Sequence, residues 1–167
     1  FEGHTMLPVI ESFKKEYALE KLVVIADAGL LSNENIQELQ SNGYEYILGG
    51  RIKNESEAIK KQILLLTLKN GESVAIPKND NTKIIISYSM TRASKDAHNR
   101  KAGLQKLEQA VKSAKLSKKN INNRGYNKYL KLQGEVKIKI DYTKYKADAC
   151  WDGLKGYITN TQLTNDH

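Results

Sequence analysis

The stretch that decides the fold is LVVIADAGLLSNENIQELQSNGYEYILGG, residues 22–50. It begins with a short apolar run rich in β-branched residues, which is typical of a central strand covered on both faces. A second run of strand-forming residues, Tyr44–Leu48, is followed by two glycines. The segment between the two runs carries the signals of a helix. A strand, a helix and a strand in this order predict a βαβ unit with parallel strands and a right-handed crossover.

The helix inside this unit has clear start and stop signals. Ser32 can cap its N-terminus, and Ile36 and Leu39 form its apolar face. Leu31 and Ile36 occupy the two positions of a hydrophobic staple, and Gly43 stands where a left-handed residue ends a helix. We therefore expect the helix to begin after Ser32 and to end before Gly43.

The rest of the chain mixes helices with short strands. Apolar residues at helical spacing predict helices over 5–17, 55–68 and 94–116. Alternating or β-branched runs predict strands over 73–76, 83–88, 129–132, 136–142 and 156–159. Polar, basic residues predict a loop over 118–127. The predicted fold class is α/β, with a βαβ unit in front of a basic section that combines helices and β-hairpins.

The composition excludes several classes of protein. The single cysteine, Cys150, cannot form an internal disulfide, and we expect it to be a small core residue in a reducing compartment. No apolar run approaches the roughly 20 residues of a membrane span. The three histidines, His4, His98 and His167, have no metal-ligand spacing, so we do not expect a zinc site.

The net charge of +8 is concentrated in one part of the chain. Residues 1–50 carry −5, whereas residues 92–131 carry +10. Clustered Lys and Arg side chains attract phosphate backbones by releasing counterions, although a solvated lysine-rich helix would have the same composition. The pattern favours a polyanionic partner. The candidate nucleic-acid-binding residues are Arg92, Lys95, Arg100, Lys101, Lys118, Lys119, Arg124 and Lys128.

Two tyrosines accompany this charge. Tyr126 and Tyr129 lie beside Arg124 and Lys128, a combination that could stack on bases and hold phosphates. Packing against a hairpin is the alternative explanation for both rings. Three acids in this half of the chain are interpreted as caps, ion-pair partners or turn residues: Asp96, Asp148 and Asp152.

Asp27 is the strongest candidate for chemistry. It follows the first predicted strand, and open α/β sheets bind ligands in the crevice beyond the carboxyl ends of their strands. The small residues Ala28 and Gly29 leave space for a metal ion or a phosphate. Carboxylate oxygen is the ligand that Mg²⁺ prefers. The alternative is a carboxylate that only caps a turn.

Several stretches resemble one family of proteins in a consistent order. Residues 23–32, VVIADAGLLS, and 42–47, NGYEYI, resemble bacterial insertion-sequence transposases of the DDE type, more specifically the insertion sequence four superfamily. Asn35 between them agrees with this pattern. So do three further stretches: FEGHT at 1–5, TRASKDA at 91–97 with Arg100, and Asp152-Gly153 with Thr159-Asn160.

The resemblance implies a mechanism and a domain layout. Three acids of a ribonuclease-H-like core hold two Mg²⁺ or Mn²⁺ ions, which activate water or a 3′-hydroxyl for attack on a DNA phosphodiester. Asp27 matches the second acid. Residues 1–52 would be part of the core, 53–155 an inserted basic section, and 156–167 the return toward the core.

The resemblance also implies that two catalytic acids lie outside this chain, an aspartate upstream of Phe1 and a glutamate shortly after Asn165. The chain begins without an initiator methionine, so we expect it to be an internal part of a longer transposase. That protein would act on transposon ends and target DNA as a homo-oligomer, in the bacterial cytoplasm with the nucleoid and away from membranes. The isolated part is expected neither to cut DNA nor to bind catalytic metal tightly.

Two other functions remain open from the sequence. One is a non-catalytic DNA- or RNA-binding module that uses residues 92–131. The other is a flavodoxin-like or phosphoacceptor domain with Asp27 at a strand end, which the hairpin-rich second half disfavours.

Overall fold

The computed structural model describes residues 6–29, 32–79, 81–134 and 137–162. These residues form two compact units, one drawn from 1–88 and 155–167 and the other from 89–154. The helices and strands, in chain order, are α1 (Met6–Glu16), β1 (Val23–Ala26), α2 (Asn33–Ser41), β2 (Glu45–Gly50), α3 (Glu57–Leu65), β3 (Ser73–Asn79), β4 (Thr82–Tyr88), α4 (Met90–Lys112), β5 (Leu130–Gln133), β6 (Lys137–Ile140), α5 (Tyr142–Ala147) and β7 (Leu154–Thr159).

The first unit is built on a mixed five-stranded sheet with the order β1-β2-β7-β4-β3. Strands β1 and β2 are parallel, and α2 connects them, which confirms the predicted βαβ arrangement. Strand β2 is antiparallel to β7, and β3 is antiparallel to β4. The predicted inserted section, 53–155, is divided between the units, because β3 and β4 belong to the same sheet as β1 and β2.

The helix of the βαβ unit begins and ends where its sequence signals predict. The backbone N–H of Asn35 donates to Ser32 Oγ over 3.0 Å, so Ser32 is the N-cap. Gly43 follows the helix with φ +70°, in the left-handed region that glycine adopts without strain. The proposed staple uses Leu31, which lies outside the described residues.

The prediction that β1 is a central strand is wrong. Strand β1 lies at the edge of the sheet, and Ile25 is 76% exposed. A short apolar run favours extended backbone, but it does not determine how many strands flank it or what covers its faces. The buried core lies further in and includes Leu39 from α2 and Tyr46 and Leu48 from β2.

The side chain of Asn160, the residue after β7, forms two hydrogen bonds with the backbone at the start of β2. Its Oδ1 accepts the backbone N–H of Tyr46 over 2.9 Å, and its Nδ2 donates to the backbone carbonyl of Tyr44 over 3.0 Å. The Thr159 hydroxyl also donates to the carbonyl of Tyr46. Because a side-chain amide presents the same donor and acceptor as a peptide group, Asn160 extends the hydrogen-bonding pattern of the sheet beyond β7.

Replacing Asn160 with alanine is expected to lower the free energy of unfolding by about 2–4 kcal/mol. The change leaves the N–H of Tyr46 and the carbonyl of Tyr44 without their partner, and an unsatisfied group of this kind costs roughly 1–3 kcal/mol. Urea denaturation followed by circular dichroism measures the effect. The exposed Asn123→Ala is the matched control. A loss at Asn160 no larger than that of the control would contradict the role assigned to this side chain.

The second unit packs α4 against the β5–β6 hairpin. Its buried core consists of Leu107, Tyr129, Leu130 and Ile140, with Leu104 and Val111 among the residues packed around it. Leu104, Leu107 and Val111 belong to the helix predicted over 94–116, and they form its packed side, as their helical spacing indicates.

The boundaries in the second unit differ from the predictions for local reasons. Helix α4 begins at Met90, before the predicted 94, because Ser89 Oγ accepts the N–H of Arg92 and caps it. The strand predicted over 136–142 ends at Ile140. Asp141 then accepts the N–H of Lys144 and starts α5, a helix that the sequence pattern did not reveal. No helix among the described residues is both long and apolar enough to cross a membrane.

Candidate catalytic carboxylate and nucleic-acid interface

Asp27 lies directly after β1, at the carboxyl end of the strand, and its side chain is exposed. Its Oδ1 accepts the backbone N–H of Gly29 over 2.6 Å, which closes a short turn. The capping role considered as the alternative is therefore real. It uses one carboxylate oxygen, and among the described residues Oδ2 has no hydrogen-bond partner, so the group can also bind a ligand.

The turn that carries Asp27 is held against the neighbouring strand. A Cβ atom added to Gly49 of β2 would lie 2.7 Å from the backbone nitrogen of Ala28, so only glycine permits this approach. Arg51 Nη2 donates to the carbonyl of Ala28 over 2.9 Å. The sequence pattern did not reveal these two contacts. A glycine ending the second strand of a parallel pair was the available signal for Gly49.

Asp27 does not belong to a metal cluster within this part of the chain. No group of three or more His, Cys, Asp or Glu side chains in the described ranges is arranged to hold a metal ion. A metal bound tightly at Asp27 would thus need ligands from residues beyond those described.

The eight candidate cations fall into two groups. Three of them pair with acids of the second unit: Arg92 with Asp96, Arg100 with Asp152, and Lys128 with Asp148. The other five are exposed, and the structure gives them no ion pair within the described residues: Lys95, Lys101, Lys118, Lys119 and Arg124. The interpretation of Asp96, Asp148 and Asp152 as ion-pair partners is confirmed.

Arg100 is bound on two sides. Its side chain is 13% exposed, and its guanidinium forms a two-pronged hydrogen bond with Asp152. The same group lies over the ring of Tyr145, 5.2 Å from its centroid. The hydrogen bond with Asp152 is the main cause that raises the pKa of Arg100. Arg100 is thus largely occupied in joining α4 to the end of the unit.

Lys128 is held in a comparable way. Its Nζ lies 2.6 Å from Asp148 Oδ2, and its side chain is 28% exposed. The same carboxylate oxygen accepts the hydroxyl of Tyr129 over 2.5 Å. Burial, followed by this hydrogen bond, raises the pKa of Tyr129. Tyr129 itself is 1% exposed, so it belongs to the core and cannot stack on a nucleic-acid base.

The outward face of α4, defined as its exposed positions, carries basic and neutral side chains. Its Lys and Arg residues are Arg92, Lys95, Lys101, Lys106 and Lys112, and none of the exposed positions is Asp or Glu. Asp96 and Glu108, the two acids of the helix, are half-buried. A helix of 23 residues is about 34 Å long, so the cations are spread over a long surface. Lys106 and Lys112 were not among the eight candidate cations.

Gly103 is the position at which Tyr126 packs against α4. The ring of Tyr126 lies directly on the helix at this position, and a Cβ atom on Gly103 would be 2.4 Å from the ring atom Cγ. Gly103 therefore makes room for an aromatic ring against the helix. One side of the Tyr126 ring is therefore used in packing against α4.

Gly103→Ala is expected to destabilise the protein by about 1–2 kcal/mol, although alanine favours a helix by about 1 kcal/mol. The reason is that the ring of Tyr126 must leave its place on α4. In a Tyr126→Ala background the same substitution is expected to be stabilising, because only the helix propensity remains. Thermal and urea unfolding of the four proteins measure this cycle. Stabilisation by Gly103→Ala in both backgrounds would contradict the packing.

The structure also corrects the expectation for Cys150. Cys150 is exposed and is not a core residue. It lies in a short 3-10 turn, 148–151, that follows α5, and its Sγ lies 3.0 Å from the carbonyl of Ala147. The neighbouring Trp151 suggested a buried site, but a bulky neighbour does not determine which way a turn residue points.

Comparisons with models of protein families, with curated proteins and with solved structures found no match.

Proposed function

We propose that the chain is part of a DDE-type DNA transposase in which Asp27 is a catalytic, metal-binding acid. The position of Asp27 carries the proposal: an exposed carboxylate at the carboxyl end of the first of two parallel strands, with one oxygen open. The sequence resemblance of residues 23–32 and 42–47 supports it. In this proposal β1, α2 and β2 belong to a ribonuclease-H-like core, and the protein works as a homo-oligomer on DNA in the bacterial cytoplasm.

The geometry suits Asp27 for the proposed role. The hydrogen bond from Gly29 to Oδ1 fixes the plane of the carboxylate, which leaves Oδ2 to bind a divalent ion, Mg²⁺ or Mn²⁺. When bound with the two acids proposed to lie outside this chain, such ions activate water or a 3′-hydroxyl for in-line attack on a phosphodiester. Gly49 and Arg51 hold the loop in place, so the carboxylate does not have to be ordered when the substrate arrives.

The sequence of the gene around the part encoding residues 1–167 tests this proposal. A strand carrying aspartate is expected upstream, and a helix carrying glutamate is expected downstream. Either acid missing from a parent reading frame that extends well beyond both ends would overturn the assignment as a DDE enzyme. The DNA-binding part of the account would survive that result.

A second candidate function is a non-catalytic DNA- or RNA-binding module. The observation that favours it is the outward face of α4, which presents several cations and no acid to a partner. This function requires no chemistry at Asp27. The two candidates differ in their prediction for Asp27→Asn, which is silent in a binding module and inactivating in a transposase.

A further inference from the structure

A cleft in the second unit lies between the end of α4 and the β5–β6 hairpin. Its volume is about 660 Å³. The lining includes three lysines and one carboxylate, namely Lys112, Lys131, Lys139 and Glu108, together with the ring of Tyr142. Of these lysines, only Lys112 belongs to the outward face of α4, and none of the five residues was singled out from the sequence as a binding residue.

The hairpin displays its lysines in a ladder. Lys131 lies directly opposite Lys139, and Gln133 lies opposite Lys137, so all four side chains share one face of the hairpin. Like charges that face each other across two strands are destabilising. Asp141 offsets the positive charge of Lys131 through an ion pair of 2.9 Å. Lys139 has no ion pair among the described residues. A bound anion would stabilise this arrangement.

The aromatic ring in the cleft is fixed by its own hydroxyl. Tyr142 donates a hydrogen bond of 2.9 Å to Glu108 Oε1. This contact raises the pKa of Tyr142 and holds the ring in place beside Glu108, which keeps its negative charge. The Tyr142 side chain remains 47% exposed. An anchored, accessible ring beside several lysines is the combination with which proteins hold single-stranded nucleic acid.

We propose that this cleft binds a single-stranded segment of nucleic acid, with phosphates at Lys112 and Lys139 and an unpaired base stacked on Tyr142. The inference rests on the proposed function in one respect, namely that the partner of the second unit is a nucleic acid. It adds that the second unit distinguishes single-stranded from double-stranded nucleic acid. Duplex backbone contacts the outward face of α4, whereas stacking on Tyr142 requires a base that is free of its partner.

Fluorescence anisotropy of a labelled thymidine 20-mer, titrated with the 167-residue chain at several salt concentrations, tests the inference. The variant Lys112→Gln/Lys139→Gln is expected to reduce the slope of log K against log salt by about 1.4, since each single-strand phosphate contact contributes roughly 0.7. Tyr142→Leu is expected to weaken binding about tenfold, and Tyr142→Phe, which keeps the ring, by much less. Circular dichroism verifies that each variant is folded. Lys139→Gln alone, which disturbs no ion pair, should lower the slope by about 0.7.

The controls separate this inference from the proposed function. Lys144→Gln/Lys146→Gln removes the same charge from exposed positions of the same unit and should leave the slope nearly unchanged. Equal effects of the cleft and control variants, or equal affinities of Tyr142→Leu and Tyr142→Phe, would overturn the inference. Binding to duplex but not to the 20-mer would overturn it while leaving the proposed function intact. Failure to bind either would remove the premise that both share, and equally tight binding of an acidic peptide would overturn the assignment to nucleic acid.

Discussion

In the full-length transposase that we propose, Asp27→Asn is expected to abolish strand transfer while leaving affinity for transposon ends within about twofold. Asparagine keeps the shape of the side chain and an oxygen that can accept the N–H of Gly29, so the turn should persist. It removes the negative charge that a divalent ion requires of a ligand at this position. A strand-transfer assay with Mg²⁺, performed beside an end-binding assay, measures the two effects separately.

Glu34→Gln supplies the matched control for this experiment. Glu34 is an exposed carboxylate in the first turn of α2, a few residues after Asp27, and the change removes the same charge. It should leave strand transfer near the level of the unmodified protein. Transfer retained by Asp27→Asn would refute the catalytic assignment, and transfer lost equally in both variants would show that local charge, and not ligation by Asp27, is responsible.

The triple variant Lys95→Gln/Lys101→Gln/Lys106→Gln is expected to lower duplex-DNA affinity strongly and to reduce the slope of log K against log salt by about 3. Each phosphate contact on duplex DNA contributes about 0.9 to that slope. All three lysines are exposed on α4, and the structure assigns them no internal ion pair among the described residues, so their loss should not unfold the unit. Anisotropy titrations between about 50 and 200 mM salt span the range in which this effect is large.

Two comparisons make this result specific. Lys15→Gln/Lys61→Gln/Lys69→Gln removes three exposed charges from the first unit and should change the slope little. Arg100→Gln should instead lower stability, because it breaks the contacts with Asp152 and Tyr145, with a small effect on the slope in the folded protein. An unchanged slope in the α4 variant would exclude the outward face as the DNA contact.

Local signals in the sequence were enough for the βαβ unit and for the position of Asp27. The cap at Ser32 and the left-handed Gly43 depend on residues within one turn of the helix ends, and both are found as predicted. Asp27 directly follows a predicted strand, so the end of that strand is enough to predict its position. These features need no knowledge of distant contacts, which is why the sequence alone predicted them.

Features that depend on distant partners could not be predicted in the same way. Arg100 and Lys128 were assigned to nucleic-acid binding, but Asp152 and Asp148 lie 52 and 20 residues further along the chain and pair with them only in the folded unit. The exposure of Ile25 similarly depends on strand order. The lysine ladder of Lys131 and Lys139 depends on hairpin register, which alternation within one strand does not supply.

The functional account of the second unit depends on one claim, that the outward face of α4 contacts nucleic acid. The most direct test is a nuclear magnetic resonance titration of the 167-residue chain, labelled at backbone amides, with a duplex of about 20 base pairs. The account predicts that shift changes concentrate at the exposed positions of α4, with Lys95, Lys101 and Lys106 among the largest, and that they fade as salt is raised. Shift changes confined to the first unit, or none at low salt, would contradict it.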